Sequence, residues 1–199
     1  MLRHVVGLFT QPRYEWESIR DQRYSIKQCL LSYVVILGAI SPIAGLIGTT
    51  QIGWRIGGGD PIKLTTESGL RIAAAYYLAI LVAVFTIGKL IHWMSETYGT
   101  KQPLSQCIVL AAFTATPLYL VGIMQFYPVL WLNFIVGLPA LAYTLYLLYT
   151  GVPIMMNIPP ERGFLFSSSI MAVGLVALVG LLAATAVLWG IGFAPTFTG

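Results

Sequence analysis

Long apolar stretches joined by short polar connections set the pattern of this chain. After a polar opening segment, apolar runs fall at about residues 28–50, 70–94, 104–126, 129–149 and 166–193. Each matches the roughly 20 residues that cross a hydrocarbon core at a rise of 1.5 Å per residue. The pattern predicts an all-α membrane protein, a five-transmembrane-helix bundle. The joint Tyr127-Pro128 is so short that the third and fourth helices must be antiparallel neighbours. Two units follow: residues 1–27 as a cytoplasmic N-terminal segment, and residues 28–199 as the membrane domain.

Within the first segment, Pro12 heads the run RYEWESIRDQR, and proline is favoured in a first helical turn. Pro12, Trp16 and Ile19 share one face, while Glu15, Glu17, Arg20 and Asp21 take the other flank. This spacing predicts a short interfacial amphipathic helix, lying among headgroups or capping the underside of the bundle. The opening MLRHVVGLF has too short an apolar run for a secretory signal and ends in Thr-Gln-Pro without a small-residue cleavage site, so no cleaved signal is expected. Gly57-Gly58-Gly59-Asp60-Pro61 is turn chemistry, and Lys63 lacks the spacing of a phosphate-cradling loop.

Composition narrows the class further. Hydrophobic residues make up 57% of the 199 positions and charged residues 9%, against roughly 25% charged in soluble domains, which leaves no room for a separate soluble module. The eleven basic and seven acidic residues matter through placement. Arg3, Arg13, Arg20, Arg23, Lys27, Lys89, Lys101 and Arg162 fall on the side of the N-terminus, and only Arg55, Lys63 and Arg71 on the other. The positive-inside rule then puts the N-terminus in the cytoplasm and the C-terminus outside it. This is a topology signal, and no nucleic-acid partner is expected from it. Cys29 and Cys107 lack CxxC or histidine company, so they read as small buried thiols with neither metal nor disulfide.

Candidate chemistry gathers in an uncharged polar seam within residues 113–153, made of Thr114, Thr116, Pro117, Tyr119, Asn133, Pro139, Tyr143, Tyr146 and Tyr149. Pro42, Pro117 and Pro139 free the carbonyls of Gly38, Phe113 and Ile135, and Thr114, Thr116 and Asn133 are the groups available to satisfy them. The tyrosines, spaced by three, form either a groove for lipid headgroups or a small solute, or an ordinary aromatic belt. A second group, Lys89, His92 and Glu96, shares a helical face at the membrane edge. It reads as a pH-responsive element or as an interfacial anchor of snorkelling lysine and histidine. No nucleophile has a base near it, no carboxylates are paired and no charge lies at mid-membrane. The expectation is therefore a protein that is not an enzyme, with no cofactor and no ion-coupling site.

Several motifs together carry a resemblance: LFTQPRYEWESI before the first span, IGTTQIGW after it, ATPLYL in the third, YTLYLLYTGVP closing the fourth and FSSS opening the fifth. On these the chain resembles the Yip (Ypt-interacting protein) family, in particular its bacterial five-span members. The resemblance implies a multi-pass protein of the bacterial inner membrane. Eukaryotic members bind small GTPases through long cytosolic N-terminal regions. This chain has only about one helix there, so GTPase binding is not carried over to it. The expected partners are membrane lipids, a second copy or other membrane proteins. The leading functional expectation is a non-enzymatic protein that organises membrane or partner proteins. The alternative is a lipid or small-solute conduit, scramblase-like or permease-like, running along the seam.

Overall fold

A computed structural model describes residues 1–54, 61–97, 99–190 and 194–198. The glycines of the turn read at 57–61 lie outside the described residues. Among the described residues seven helical elements follow one another. Two are short, α1 (His4–Thr10) and α2 (Pro12–Asp21). Five are long and apolar enough to cross a membrane: α3 (Ile26–Ile52), α4 (Thr66–Thr97), α5 (Leu104–Phe126) and α6 (Leu130–Met156), with α7 (Pro160–Leu188) last.

The five predicted runs are all present, and most helices overrun the apolar stretch that revealed them. Polar caps explain this at the starts. Ser25 and Gln28 form a reciprocal capping box, with Gln28 N donating to Ser25 Oγ at 3.2 Å and Ser25 N to Gln28 Oε1 at 3.1 Å, so α3 begins two residues before the predicted 28. The Thr65 hydroxyl accepts from Ser68 N at 3.3 Å and extends α4 ahead of residue 70. The largest departure is at the end of α6. The predicted run stops near residue 149, but the helix takes in Pro153 and continues to Met156. There Gln106 Nε2 and Gln102 Nε2 donate to the carbonyls of Met155 and Met156 at 2.5 and 3.0 Å, and Asn157 stops the helix in a left-handed conformation, φ 53°.

Helix α5 is the axis of the bundle. In its apolar stretch 67% of the positions are buried, against 6% for α4, α6 and α7. It packs on α4, α3 and α6, while α7 leans mainly on α6. Small residues set the closest approach: a Cβ on Gly48 of α3 would lie 2.1 Å from Gln125 O and 2.9 Å from Phe126 O, so the two backbones nearly touch. Two prolines bend the inner helices, α3 breaking at Ala39 before the buried Pro42 and α5 at Ala115 before the buried Pro117.

The N-terminal segment holds two helices rather than the one expected, and both are built into the bundle. Trp16 and Ile19 of α2 are buried, with Pro12 half-buried beside them. The Trp16 indole lies on Gly151 of α6, where a Cβ would come within 2.6 Å of Cε2. Of the two placements open to α2, the structure shows the packed cap. At the opposite end, the C-terminal tail folds back on the segment between α3 and α4. Thr198 N donates to Lys63 O at 2.9 Å, and the Thr65 and Thr196 hydroxyls meet at 2.9 Å. The chain termini therefore sit at opposite ends of the bundle, as an odd number of crossings requires.

Candidate functional site

The seam residues are distributed over separate places. Thr114, Thr116, Pro117 and Tyr119 lie inside the bundle. Thr116 Oγ1 donates to Phe113 O at 2.5 Å, the carbonyl that Pro117 frees, and shares a 2.7 Å hydrogen bond with Tyr33 OH from α3. The Thr114 hydroxyl has no hydrogen-bond partner, and neither does the Tyr119 hydroxyl. Asn133 does not reach the carbonyl that Pro139 frees. It sits four residues into α6, and its Nδ2 donates backward to Tyr127 O and Val129 O, both at 2.9 Å, so the amide closes the start of its own helix. Pro139 itself is exposed. Of the three groups expected to serve proline-freed carbonyls, one does so.

The tyrosine stripe ties α6 to its neighbours. Tyr143 OH donates to Leu8 O of α1 at 2.9 Å, and its ring stacks on Phe9 at 5.0 Å between centroids. Tyr149 OH shares a 2.9 Å hydrogen bond with Ser168 Oγ of α7. Tyr146 is exposed beside Tyr143, with ring centroids 5.5 Å apart. The second predicted group is also divided. Lys89 turns its ammonium toward the Phe85 ring, 5.3 Å from the centroid. His92 Nδ1 donates to Gln102 O at 3.0 Å, fastening α4 to the α4–α5 connection, and Nε2 lies 3.8 Å from Glu96 Oε1. Cys29 and Cys107 are both free and buried.

The most connected polar cluster is one that sequence reasoning missed. His4 of α1 is buried, with Nδ1 against the Glu15 carboxylate and Nε2 sharing a 2.7 Å hydrogen bond with Tyr24 OH. Tyr24 OH donates to Gln22 Oε1, which also accepts from Arg3 Nη2 at 3.3 Å. Burial raises the Tyr24 phenol above its ordinary value, the Arg3 charge and hydrogen bond oppose that rise, and the Glu15 charge adds to it. Phe113 joins this cluster to the bundle interior, meeting the His4 ring edge-on at 5.8 Å and stacking on Tyr33 at 4.0 Å. A polar and aromatic column thus runs from the N-terminal segment to Thr116. Its one sequence signal was a histidine inside the short apolar run HVVGLF.

This column joins α1 and α2 to α5, so the N-terminal segment and the spans are one folded unit. Comparison with known proteins matches the same extent of chain, because the Yip1 domain covers residues 6–182. The chain belongs to the Yip1 family. It is also similar to Inner membrane protein YohC from Escherichia coli strain K12, and to the protein of the same name from Escherichia coli O6:H1 strain CFT073. Each is 42% identical over 192 residues, covering 96% of this chain and 98% of the relative. No solved structure gives a significant match. The Yip1 match takes in α2 through α6 and most of α7, so the packed cap lies within the family domain.

Two cavities flank this core. A polar one of about 590 Å³ opens beside α2, lined by Arg20, Arg23, Gln102, Gln106 and others. An apolar one of about 410 Å³ lies at the far end, between α3, α4 and the C-terminal tail, lined by Leu46, Trp54, Ile72 and Phe197 among others. Among the described residues no group of three or more His, Cys, Asp or Glu is placed to hold a metal ion.

Proposed function

We propose that this Yip1-family protein is a non-enzymatic scaffold of the bacterial inner membrane, with its N-terminus cytoplasmic and its C-terminus outside, and that it organises partner membrane proteins along α7. One observation carries the reading. From residue 175 to residue 180 every position of α7 is exposed, with Val176 at 74% and Val179 at 64%. A Cβ built on Gly174 or Gly180 meets nothing within 4 Å. Small residues on a membrane helix permit close backbone approach, and Gly180 with Ala184 offers such a surface to a second helix, from another copy or another protein. The name of the Escherichia coli relatives supports the inner-membrane placement. The basic residues gathered at the N-terminal end support the orientation.

In-cell cross-linking tests the scaffold. Gly180→Cys and Ala184→Cys are expected to form cross-linked products, while Leu138→Cys on the exposed face of α6 is not. The native thiols are buried and do not compete. Products absent at both α7 positions, or equally abundant at Leu138, defeat the reading. Reporter fusions at the two ends test the orientation and are expected to score in opposite compartments.

A further inference from the structure

Three segments meet at the N-terminal end of the bundle: the turn from α2 into α3, the α4–α5 connection and the α6–α7 turn. The 590 Å³ cavity lies at their junction, lined by Arg20 and Asp21 at the end of α2, Arg23 from the turn after it, Gln102 from the second segment and Asn157 from the third, with Ser105 and Gln106 from the first turn of α5. Its depth is fixed by the helices around it. α3 begins at Ile26, α5 begins at Leu104 and α6 ends at Met156, so the cavity sits where hydrocarbon gives way to headgroups.

Arg20 and Arg23 against Asp21 leave the lining with one net positive charge, which favours an anion. Arg20 Nε donates to Asp21 Oδ1 at 3.0 Å, and among the described residues the two terminal nitrogens of that guanidinium have no hydrogen-bond partner. Among the described residues no carboxylate pairs with Arg23. Arg23 is held at the cavity by backbone geometry, since its φ of 43° makes the sharp turn between α2 and α3. The α6 carbonyls that would repel a negative charge, those of Met155 and Met156, already accept hydrogen bonds from Gln106 and Gln102. Two guanidiniums with free donor edges and a hydroxyl, in a cavity within the usual size range of ligand sites, match a phosphate.

We propose that this cavity binds a phosphate group, and that its occupant is the headgroup of an anionic phospholipid of the adjoining leaflet. The site is separate from the α7 surface, so either can fail without the other. The test uses the full chain in nanodiscs of phosphatidylcholine doped with phosphatidylglycerol, counting by native mass spectrometry the lipid retained after detergent extraction. A basic residue beside anionic lipid is worth about fivefold in binding. Arg20→Gln with Arg23→Gln is therefore expected to lower phosphatidylglycerol retention roughly twentyfold. Arg13→Gln with Lys27→Gln removes the same charge outside the cavity and is expected to change retention by less than about twofold. Arg20→Lys with Arg23→Lys keeps the charge and is expected to retain an intermediate amount, with tryptophan fluorescence reporting that each variant is folded. Retention unchanged in the Arg20/Arg23 glutamine variant, or lowered equally in the Arg13/Lys27 variant, overturns the proposal. Excess inorganic phosphate separates the two sources of the group. Displacement of the lipid shows a site that also takes free phosphate, and resistance to it assigns the site to the lipid, each upholding the phosphate chemistry.

Discussion

Replacing Trp16 tests whether the N-terminal segment is held by packing. Its side chain is fully buried, with the indole face against the bare backbone of Gly151. Truncating a buried tryptophan to alanine costs about 3–5 kcal/mol through lost transfer energy and the cavity left behind. Here part of that is already offset, because Trp16 Nε1 is buried with no hydrogen-bond partner, and an unpartnered donor carries a penalty of about 1–3 kcal/mol that disappears with the indole. Trp16→Ala is therefore expected to weaken docking of α2 by about 2–3 kcal/mol. Trp16→Phe keeps most of the aromatic contact and sheds the orphaned N–H, so it is expected to stay within about 1 kcal/mol of the parent. Amide hydrogen exchange across α2, measured on the full chain in nanodiscs, reads the opening directly. The alanine variant should exchange about 30- to 150-fold faster there, and the phenylalanine variant less than about fivefold faster, with α5 unchanged in both. Indistinguishable rates for the two variants, or an alanine effect under about threefold, would refute the packed cap.

Two further predictions concern the bundle interior. Thr116→Val removes the hydroxyl that serves both Phe113 O and Tyr33 OH, and is expected to destabilise the bundle by about 1–2 kcal/mol in detergent unfolding. Thr116→Ser should recover more than half of that loss, and equal destabilisation by both would remove the hydroxyl from the account. Gly48→Ala drives a methyl into Gln125 O and Phe126 O. Neither backbone atom can swing aside, so a cost of at least about 1–3 kcal/mol is expected. Gly180→Ala meets open space and should shift unfolding by under about 1 kcal/mol. A Gly48 variant as stable as the Gly180 variant would contradict the close approach of α3 and α5.

The number of spans was legible in the sequence because length and hydropathy suffice to count them. Which side of each span faces inward was not, and the reason is physical. In a bilayer the lipid is as apolar as the protein interior, so no amphipathic period separates buried from lipid-facing positions. Asn133 and Pro139 were thus grouped with Thr114 and Thr116 on polarity alone, although Asn133 closes the start of its own helix and Pro139 lies exposed. The N-terminal segment packs at the end of the bundle, where amphipathicity keeps its meaning, and there Trp16 and Ile19 are buried with Pro12 half-buried beside them. The His4 cluster escaped notice because its members are 11 and 20 residues apart and are joined only by the turns between α1, α2 and α3. The expected end near residue 149 fell short because the helix holds Pro153 and runs on to Met156, where Gln106 of α5 and Gln102 of the α4–α5 connection donate to its last carbonyls.

The glycines divide the molecule into a closed half and an open one. Gly48, Gly122 and Gly151 each meet another element so closely that a Cβ would fall within 2.6 Å of it, so their lack of a side chain has a cause inside the fold. Gly174 and Gly180 have no such neighbour. Glycine in a helix interior costs about 0.8–1.0 kcal/mol relative to alanine, and at Gly174 and Gly180 no contact among the described residues offsets that cost. A helix tethered near its start by Tyr149 and Ser168 and exposed from residue 175 to residue 180 is what a membrane docking surface requires: one end fixes its position and the other leaves its backbone open to a partner. If Gly180→Leu abolished the α7 cross-links while leaving the unfolding transition unmoved, the glycine would be assigned to an external contact. If it lowered stability instead, the open face would prove to be covered by the protein's own chain.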